Sequence, residues 1–374
     1  MLENTETGTY LGRAWIDSEG GPCVVTVRDG YLIDITSRLA PTTRDVCETE
    51  NPADFVSNAK GRVVCAIAEL ERHPDVRLLA PSDLQSIKAC GVTFAESMVE
   101  RVIEERAGGD PAKANELRQR IGADIGASLS EVVPGSEKAQ LAKQALIKEG
   151  LWSQYLEVGI GPFAEVFTKS QPMSAVGTLC DVGVHSQSLW NNPEPEVVLA
   201  VNSRGDIVGA SLGNDVNLRD FEGLSALLLG KAKDNNASCA IGPLIRLFDS
   251  TFGLDDVRSA ELQLTVTGAD GYLLSGHSSM RMISRDPTDL VAQTIGENHQ
   301  YPDGFMLFLG TLFAPVQDRD VPGMGFTHQI GDRVEVTNAK LGTLQNTVRL
   351  CSQCPPWTFG ASHLMRNLVQ RGLV

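Results

Sequence analysis

The pattern of apolar and polar positions divides the chain into three textures. Near the N-terminus, "CVVTVRDGYLIDIT" (Cys23 to Thr36) reads as two alternating strands around Asp29-Gly30, a dipeptide that tolerates the positive φ a tight hairpin demands. Ala66 to Leu70 predicts the start of a short helix, and "HPDVRLLAPSD" (His73 to Asp83) a connector. From Phe94 to Trp152 the period changes. "FAESMVERVIEERAG" sets Phe94, Met98, Val102 and Ile103 at helical spacing, and two further amphipathic helices follow in "DPAKANELRQRIGADIGASL" and "GSEKAQLAKQALIKEGLW". After Gly159 and up to about residue 350 the chain turns strand-rich. "EVVLAVNSRGDIVGASLGNDV", "LQLTVTGADGYLLSG" and "GDRVEVTNAKLGTLQNTV" each read as strand–turn–strand, with one helix over Asp286 to Gly296 between them. No internal repeat or low-complexity stretch appears. The expected class is α+β, mainly β. Residues 1–85 would form a small N-terminal domain, and 86–374 a larger one holding a helical segment at about 94–152 and a β-rich core at about 160–350.

Composition adds to this picture without changing it. A chain of 374 residues can build one large domain and a small one, and 36 glycines favour a turn-rich β architecture over a helical bundle. No apolar run approaches the roughly 18 residues of a membrane span. "MLENTETGTYLGRAW" lacks the basic and apolar regions of a signal peptide. The formal net charge of −15 argues against nucleic acid or an anionic membrane as partner. Eight scattered cysteines without a secretory signal read as reduced thiols of a cytoplasmic protein. Cys351-Ser-Gln-Cys354 is a CxxC without a second pair, and reads as surface thiols before the Pro355-Pro356 stop.

The chemistry begins at "NNPEPEVVLAV" (Asn191 to Val201). Glu194 and Glu196 lie two apart, so on an extended segment both side chains leave the same face. If the following turn centres on Arg204-Gly205, cross-strand partners sum to about 409 and Glu194 faces Asp215, give or take a glycine bulge. Three carboxylates at one end of a hairpin repel by several kcal/mol unless a cation neutralises them. Oxygen-only ligands with room for exchange suit Mg²⁺ or Mn²⁺. The competing reading is a pair of solvated glutamates at a strand start. His185, nine residues upstream of Glu194, reads better as a core or surface histidine than as an added ligand.

These segments resemble the fumarylacetoacetate hydrolase superfamily, whose central motif is an ExE strand followed by a strand ending in an NDVSARD-like segment. Here those are Glu194-Pro195-Glu196 and Asn214-Asp215-Val216-Asn217-Leu218-Arg219-Asp220. "AKDNNASCAIGP" is similar to the family's lysine nine residues before a Gly-Pro, a spacing that Lys233 fits and Lys231 does not. "FLGTLFAP" (Phe308 to Pro315) resembles the family's TGTP loop, and "IGDRVEV" with "LGTLQNTV" its closing strands. The match covers roughly residues 86 to 350. It implies a β-sandwich roll, Mg²⁺ or Mn²⁺ on Glu194, Glu196 and Asp215, and Lys233 beside the metal. A 2-oxo acid would chelate the ion, with Gly310 and Thr311 at its carboxylate, and homodimers or homotetramers are expected.

One departure bears on the reaction. The family's hydrolases carry a GxNYxxHxxE-like segment whose His–Glu dyad activates water. The matching stretch is "GVTFAESMVE", with Ser97 at the histidine position and Glu100 kept. Serine cannot take a proton from water at neutral pH, so hydrolytic C–C cleavage is disfavoured. The combination resembles the superfamily's sugar-acid dehydratase branch, and implies conversion of 2-keto-3-deoxy-D-pentonate to 2,5-dioxopentanoate and water. Lys233 would be the base at C3, Glu100 the acid at the C4 hydroxyl, and Ser97 its orienting partner. Two alternatives stand beside this. One is an acylpyruvate or diketo-acid hydrolase with water activated by Glu100 alone; the other is a non-catalytic protein that binds metal and 2-oxo acid. Arg219 and Asp220 are expected to buttress the metal loop as a local salt bridge. His277, Ser278, Arg281 and Arg285 read as structural, and "CSQCPPWTFG" as a stretch that packs at a subunit interface.

Overall fold

The computed structural model of the protein describes residues 8–121, 129, 132–148, 150, 152–313 and 315–374. The N-terminal strands are β1 (Tyr10–Ile16), β2 (Gly21–Arg28), β3 (Tyr31–Asp34), β4 (Arg62–Ala66) and β5 (Val76–Leu79), with short helices α1 (Thr43–Cys47) and α2 (Pro52–Asn58) after β3. Strand β6 (Ser86–Gly91) leads into the helices α3 (Ala95–Ala107), α4 (Pro111–Ile121), α5 (Glu137–Lys148) and α6 (Gln154–Ile160). The β-rich part contains β7 (Glu165–Ser170), β8 (Asp181–Val184), β9 (Asn191–Asn192), β10 (Pro195–Val201), β11 (Ile207–Asp215) and β12 (Asn217–Leu218). Helices α7 (Arg219–Leu224) and α8 (Leu229–Lys233) come next, then β13 (Cys239–Leu247), α9 (Leu254–Arg258), β14 (Glu261–Thr267) and β15 (Leu273–Ser279). The chain closes through α10 (Pro287–Thr294), β16 (Phe305–Phe308), β17 (Arg333–Asn338), β18 (Gly342–Leu350) and α11 (Ala361–Gln370).

A large sheet runs β4-β3-β2-β1-β13-β11-β10-β16-β6-β7, with β5 also paired to β1, and a second runs β15-β14-β17-β18-β8. Their facing side chains, among them Val197, Leu199, Leu212, Leu264, Val266, Val334, Val336 and Leu344, form one apolar layer. The opposite face of the large sheet, with Val198, Ala200, Ile241 and Phe308, packs with Val46 and Val56 of α1 and α2. Strand β10 is therefore covered on both sides. That explains why "EVVLAV" is a continuous apolar run instead of an alternation. The architecture is the expected mainly-β α+β sandwich roll. Among the described residues no helix is long and apolar enough to cross a membrane.

The Asp29-Gly30 hairpin forms, with φ of 50° and 78° at its two turn residues, and Phe94, Met98, Val102 and Ile103 are all buried. The connector over His73 to Asp83 contains a strand instead: β5 pairs Arg13↔Leu79 through Ile16↔Val76. Four residues are too few for alternation to register, and the pairing comes from β1, which turns its other edge to β2. At Tyr10 and Leu11, β1 also pairs with β13, so the N-terminal strands and the core share hydrogen bonds. The expected helix over 110–129 is observed as α4. Residues 122–128 of that expectation lie outside the described residues, as do Ala314 of the "GTLFAP" loop and residues 1–7 of the leader reading.

Candidate active site

The β10–β11 hairpin sets the carboxylates. Leu199 pairs with Ala210 and Pro195 with Asn214, and the register shifts only at the turn end, between Ala200 and Val201. The Asp215 amide donates to the Glu194 carbonyl at 3.0 Å. The side chains of Glu194, Glu196 and Asp215 are buried, and one oxygen from each lies within 4.8 Å of the others. Lys233, at the end of α8, enters this cluster while Lys231 faces solvent. Its Nζ is 2.6 Å from Glu194 Oε2, 3.2 Å from Asp215 Oδ2 and 3.6 Å from Glu222 Oε1.

The three carboxylates are not equivalent. Burial opposes ionisation of Asp215, but Lys169 and Lys233 outweigh it and hold the carboxyl below its usual range. Burial raises Glu194. Glu196 is raised furthest, by burial and then by the neighbouring Asp215 and Glu194 charges. Among the described residues its one hydrogen-bond donor is the Gly310 amide at 2.6 Å. That approach needs glycine, because Gly310 has φ 89° and a Cβ there would lie 2.1 Å from Thr93 Oγ1. A buried carboxylate with a single donor, in an all-oxygen set, fits a divalent cation.

A cleft with about 760 Å³ of empty space, partly open to solvent, lies over this cluster. Ser97, Glu100, Gly310 and Thr311 line it together with the three carboxylates and Lys233, so all the sequence-predicted site residues meet there. Two of them are engaged differently from the expectation. The Ser97 hydroxyl donates to the Phe94 carbonyl at 2.8 Å and accepts from the Phe94 amide at 3.2 Å, closing the first turn of α3. Glu100 accepts Arg118 Nε at 2.9 Å and pairs with the Arg118 and Arg219 guanidinium groups. Burial opposes its charge, yet the two arginines hold the carboxyl below its usual range. A carboxylate so held is a poor source of the proton expected from it at C4.

Arg219 pairs with Glu104 at 2.6 Å and stacks over Trp190 at 4.2 Å, and it does not pair with Asp220. Asp220 instead accepts from Ser188 Oγ and the Leu189 amide. The first turn of α7 sends these adjacent side chains in opposite directions, which corrects the expected local salt bridge. His185 lies half-buried against Phe221. Arg285 donates to the Val158 and Gly161 carbonyls, a structural role as read.

Sequence reasoning missed five groups. Lys169 of β7 is fully buried, with Nζ 2.7 Å from Asp215 Oδ1 and 2.5 Å from the Lys233 carbonyl. Arg101 of α3 reaches Glu104 at 2.6 Å and Glu194 at 3.0 Å, and contacts Glu222. Glu165 lines the cleft and is raised by burial first and by the charge of Glu222 second. Glu104 and Glu222 complete the network. None sits at a diagnostic spacing. The available signal was charged residues inside otherwise amphipathic helices, as in "VERVIEERAG". Among the described residues, no histidine lines the cleft.

The family described as fumarylacetoacetate (FAA) hydrolase C-terminal matches residues 195–349. A probable 2-keto-3-deoxyxylonate dehydratase of Haloferax volcanii is 30% identical over 210 residues, covering 56% of this chain and 68% of that relative. A 2-dehydro-3-deoxy-D-arabinonate dehydratase of Saccharolobus solfataricus is 29% identical over 185 residues, covering 50% of this chain and 58% of the relative. Among solved structures, a 2-keto-3-deoxy-D-arabinonate dehydratase complexed with magnesium and 2,5-dioxopentanoate superposes with a TM-score of 0.64 at 21% identity, over 91% of this chain and 99% of that one. At that identity the likeness is one of fold.

Proposed function

The chain belongs to the fumarylacetoacetate hydrolase family, and we propose that within it this protein is a lyase, a metal-dependent dehydratase that converts 2-keto-3-deoxy-D-pentonate to 2,5-dioxopentanoate and water. The charge balance of the cleft supports this most. Seven carboxylates (Glu100, Glu104, Glu165, Glu194, Glu196, Asp215, Glu222) are set against five cations (Arg101, Arg118, Arg219, Lys169, Lys233), a formal excess of two negative charges. One divalent cation would offset this excess of two, and the ion would attract a substrate carboxylate. A second carboxylate would find Arg101, Arg219 and Lys233 already paired. Glu100, whose carboxyl Arg118 and Arg219 hold below its usual range against burial, is a weak base, which weighs against water activation by Glu100 alone and so against the hydrolase alternative.

When bound to Glu194, Glu196 and Asp215, Mg²⁺ (or Mn²⁺) supplies Lewis-acid polarisation of a 2-oxo group and so acidifies the C3 protons. Lys233 is the base at C3. Burial favours its neutral amine, and the charges of Asp215, Glu194 and Glu222 raise it against that tendency. Engagement of Glu194 and Asp215 elsewhere removes most of what holds the ammonium. Glu165, whose carboxyl is raised by burial and then by the charge of Glu222, is the acid that delivers a proton to the C4 hydroxyl as the C4–O bond breaks, so the oxygen leaves as water. The enone that remains across C3 and C4 tautomerises through C5 to the aldehyde. Thr311 Oγ1 accepts from the Phe313 amide at 3.1 Å, which leaves its own proton for the substrate carboxylate. Ser97 and Glu100 act as positioning residues that fix α3 over the cleft. A cytoplasmic homodimer or homotetramer completes the proposal, and light scattering reads the assembly.

The test offers the Mg²⁺-loaded protein 2-keto-3-deoxy-D-pentonate and, separately, an acylpyruvate. Turnover of the sugar acid alone supports the dehydratase. Release of pyruvate from the acylpyruvate, with the sugar acid untouched, would reverse the assignment.

A further inference from the structure

The wall of the cleft beside Glu194 is a two-residue ladder, β9 against β12, in which Asn217 stands opposite Asn192. Both asparagines line the cleft and are 1% and 2% exposed. Their amide nitrogens are committed: Asn217 Nδ2 donates to Glu194 Oε1 at 2.9 Å, and Asn192 Nδ2 to the Pro193 carbonyl at 2.8 Å. These donations fix which way each amide is turned. The two carbonyl oxygens, Asn217 Oδ1 and Asn192 Oδ1, are then left buried without a donor among the described residues. A buried acceptor in that state is costly, and finding two facing each other across one rung of the cleft wall calls for a reason. Asn217 is also the position at which this chain departs from the serine of the NDVSARD-like motif.

What could fill these acceptors is restricted by the rest of the cleft. Its arginines and Lys233 already donate to carboxylates. The head of a 2-oxo acid, carboxylate plus oxo group, accepts hydrogen bonds and donates none. Two adjacent acceptors therefore match two O–H donors on one ligand, the pattern of a hydroxylated carbon chain. We infer that Asn192 and Asn217 form a subsite for the hydroxyl groups of the substrate, and that this pair sets the preference for hydroxylated over plain 2-oxo acids. The inference rests on the dehydratase reading and names the residues that would select its substrate.

The test measures equilibrium binding to the Mg²⁺-loaded protein by calorimetry. One probe is 5-hydroxy-2-oxopentanoate, which keeps a hydroxyl but has no C4 leaving group; the other is 2-oxopentanoate. Wild type should prefer the hydroxylated probe by roughly 2- to 12-fold, the worth of one hydrogen bond between neutral groups, which the single hydroxyl can give to either acceptor. Asn192→Leu, or the smaller Asn192→Ala should the first fold poorly, should erase most of that preference while 2-oxopentanoate binds as before. Asn217→Ser should reduce it as well. An unchanged ratio, or equal weakening of both probes, overturns the subsite. The two ideas fail separately. A wild type that makes no 2,5-dioxopentanoate yet keeps the ratio refutes the dehydratase. A wild type that dehydrates while Asn192→Leu leaves the ratio intact refutes the subsite.

Discussion

Glu196→Gln should make the metal-free protein more stable and the metal-loaded protein less so. Glu196 has one backbone donor, and its repulsion comes from carboxylates whose oxygens lie within 4.8 Å. At that distance and an effective dielectric of about 20, two unit charges repel by roughly 3 kcal/mol. Lys233 and the Gly310 amide offset part of this, so a neutral isostere should gain about 1–3 kcal/mol in chelator, or about 2 °C in Tm per kcal/mol for a chain of this size. The gain should depend on pH in a definite direction. Because the folded-state value of Glu196 is raised, its ionisation opposes folding. That penalty is absent below the unfolded value near 4.3 and grows as pH rises through the folded one. The advantage of Gln should therefore vanish in acid, widen as pH rises above the unfolded value, and be full only above the folded one. Saturating Mg²⁺ reverses the order: at 100 times Kd the wild type gains about 2.7 kcal/mol, and the variant little. Calorimetric melts in chelator and in Mg²⁺, at several pH values, read all of this. A variant no more stable than wild type in chelator at any pH would refute the reasoning, since the protein would then already compensate the Glu196 charge.

Three further outcomes follow from the same geometry. Glu100→Gln removes the partner of Arg118 and of the buried Arg219, and should cost about 3–5 kcal/mol at neutral pH. Its folded value is depressed, so that stability is present above the unfolded value and is lost as pH falls through the folded one; denaturant melts should show the gap closing in acid. Gly310→Ala should lower Tm and weaken Mg²⁺ binding together in a calorimetric titration, because a Cβ at φ 89° meets Thr93 and displaces the amide that holds Glu196. Cys351→Ser and Cys354→Ser should leave activity and metal content unchanged, because burial raises both thiols away from the reactive thiolate.

The hairpin was legible because a tight turn fixes register. Once Arg204-Gly205 is taken as its centre, Asp215 is carried to Glu194, and the bulge at Val201 lies too near the turn to disturb the open end. Helix α3 was legible from its apolar spacing. Lys169 was not, because nothing within "EVFTKS" marks its lysine; Asp215 and the Val216 and Lys233 carbonyls, all distant in sequence, surround its ammonium. Arg101 and Glu222 were hidden for a related reason: each lies on a helix whose apolar face is ordinary, and their meeting is made by α3 packing on α7. Glu100 lines the cleft. Its chemistry was not readable, since the arginines that hold its charge come from α4 and α7.

The central claim is that this cleft removes water from a 3-deoxy 2-oxo sugar acid. Its most direct test is ¹³C NMR of 2-keto-3-deoxy-D-pentonate in D₂O with the Mg²⁺-loaded protein. The account predicts an aldehyde carbon at C5, deuterium at C3 and an intact five-carbon chain, with loss of the aldehyde and deuterium signals in chelator. A chain cut between C3 and C4, or conversion that survives removal of the metal, would contradict it.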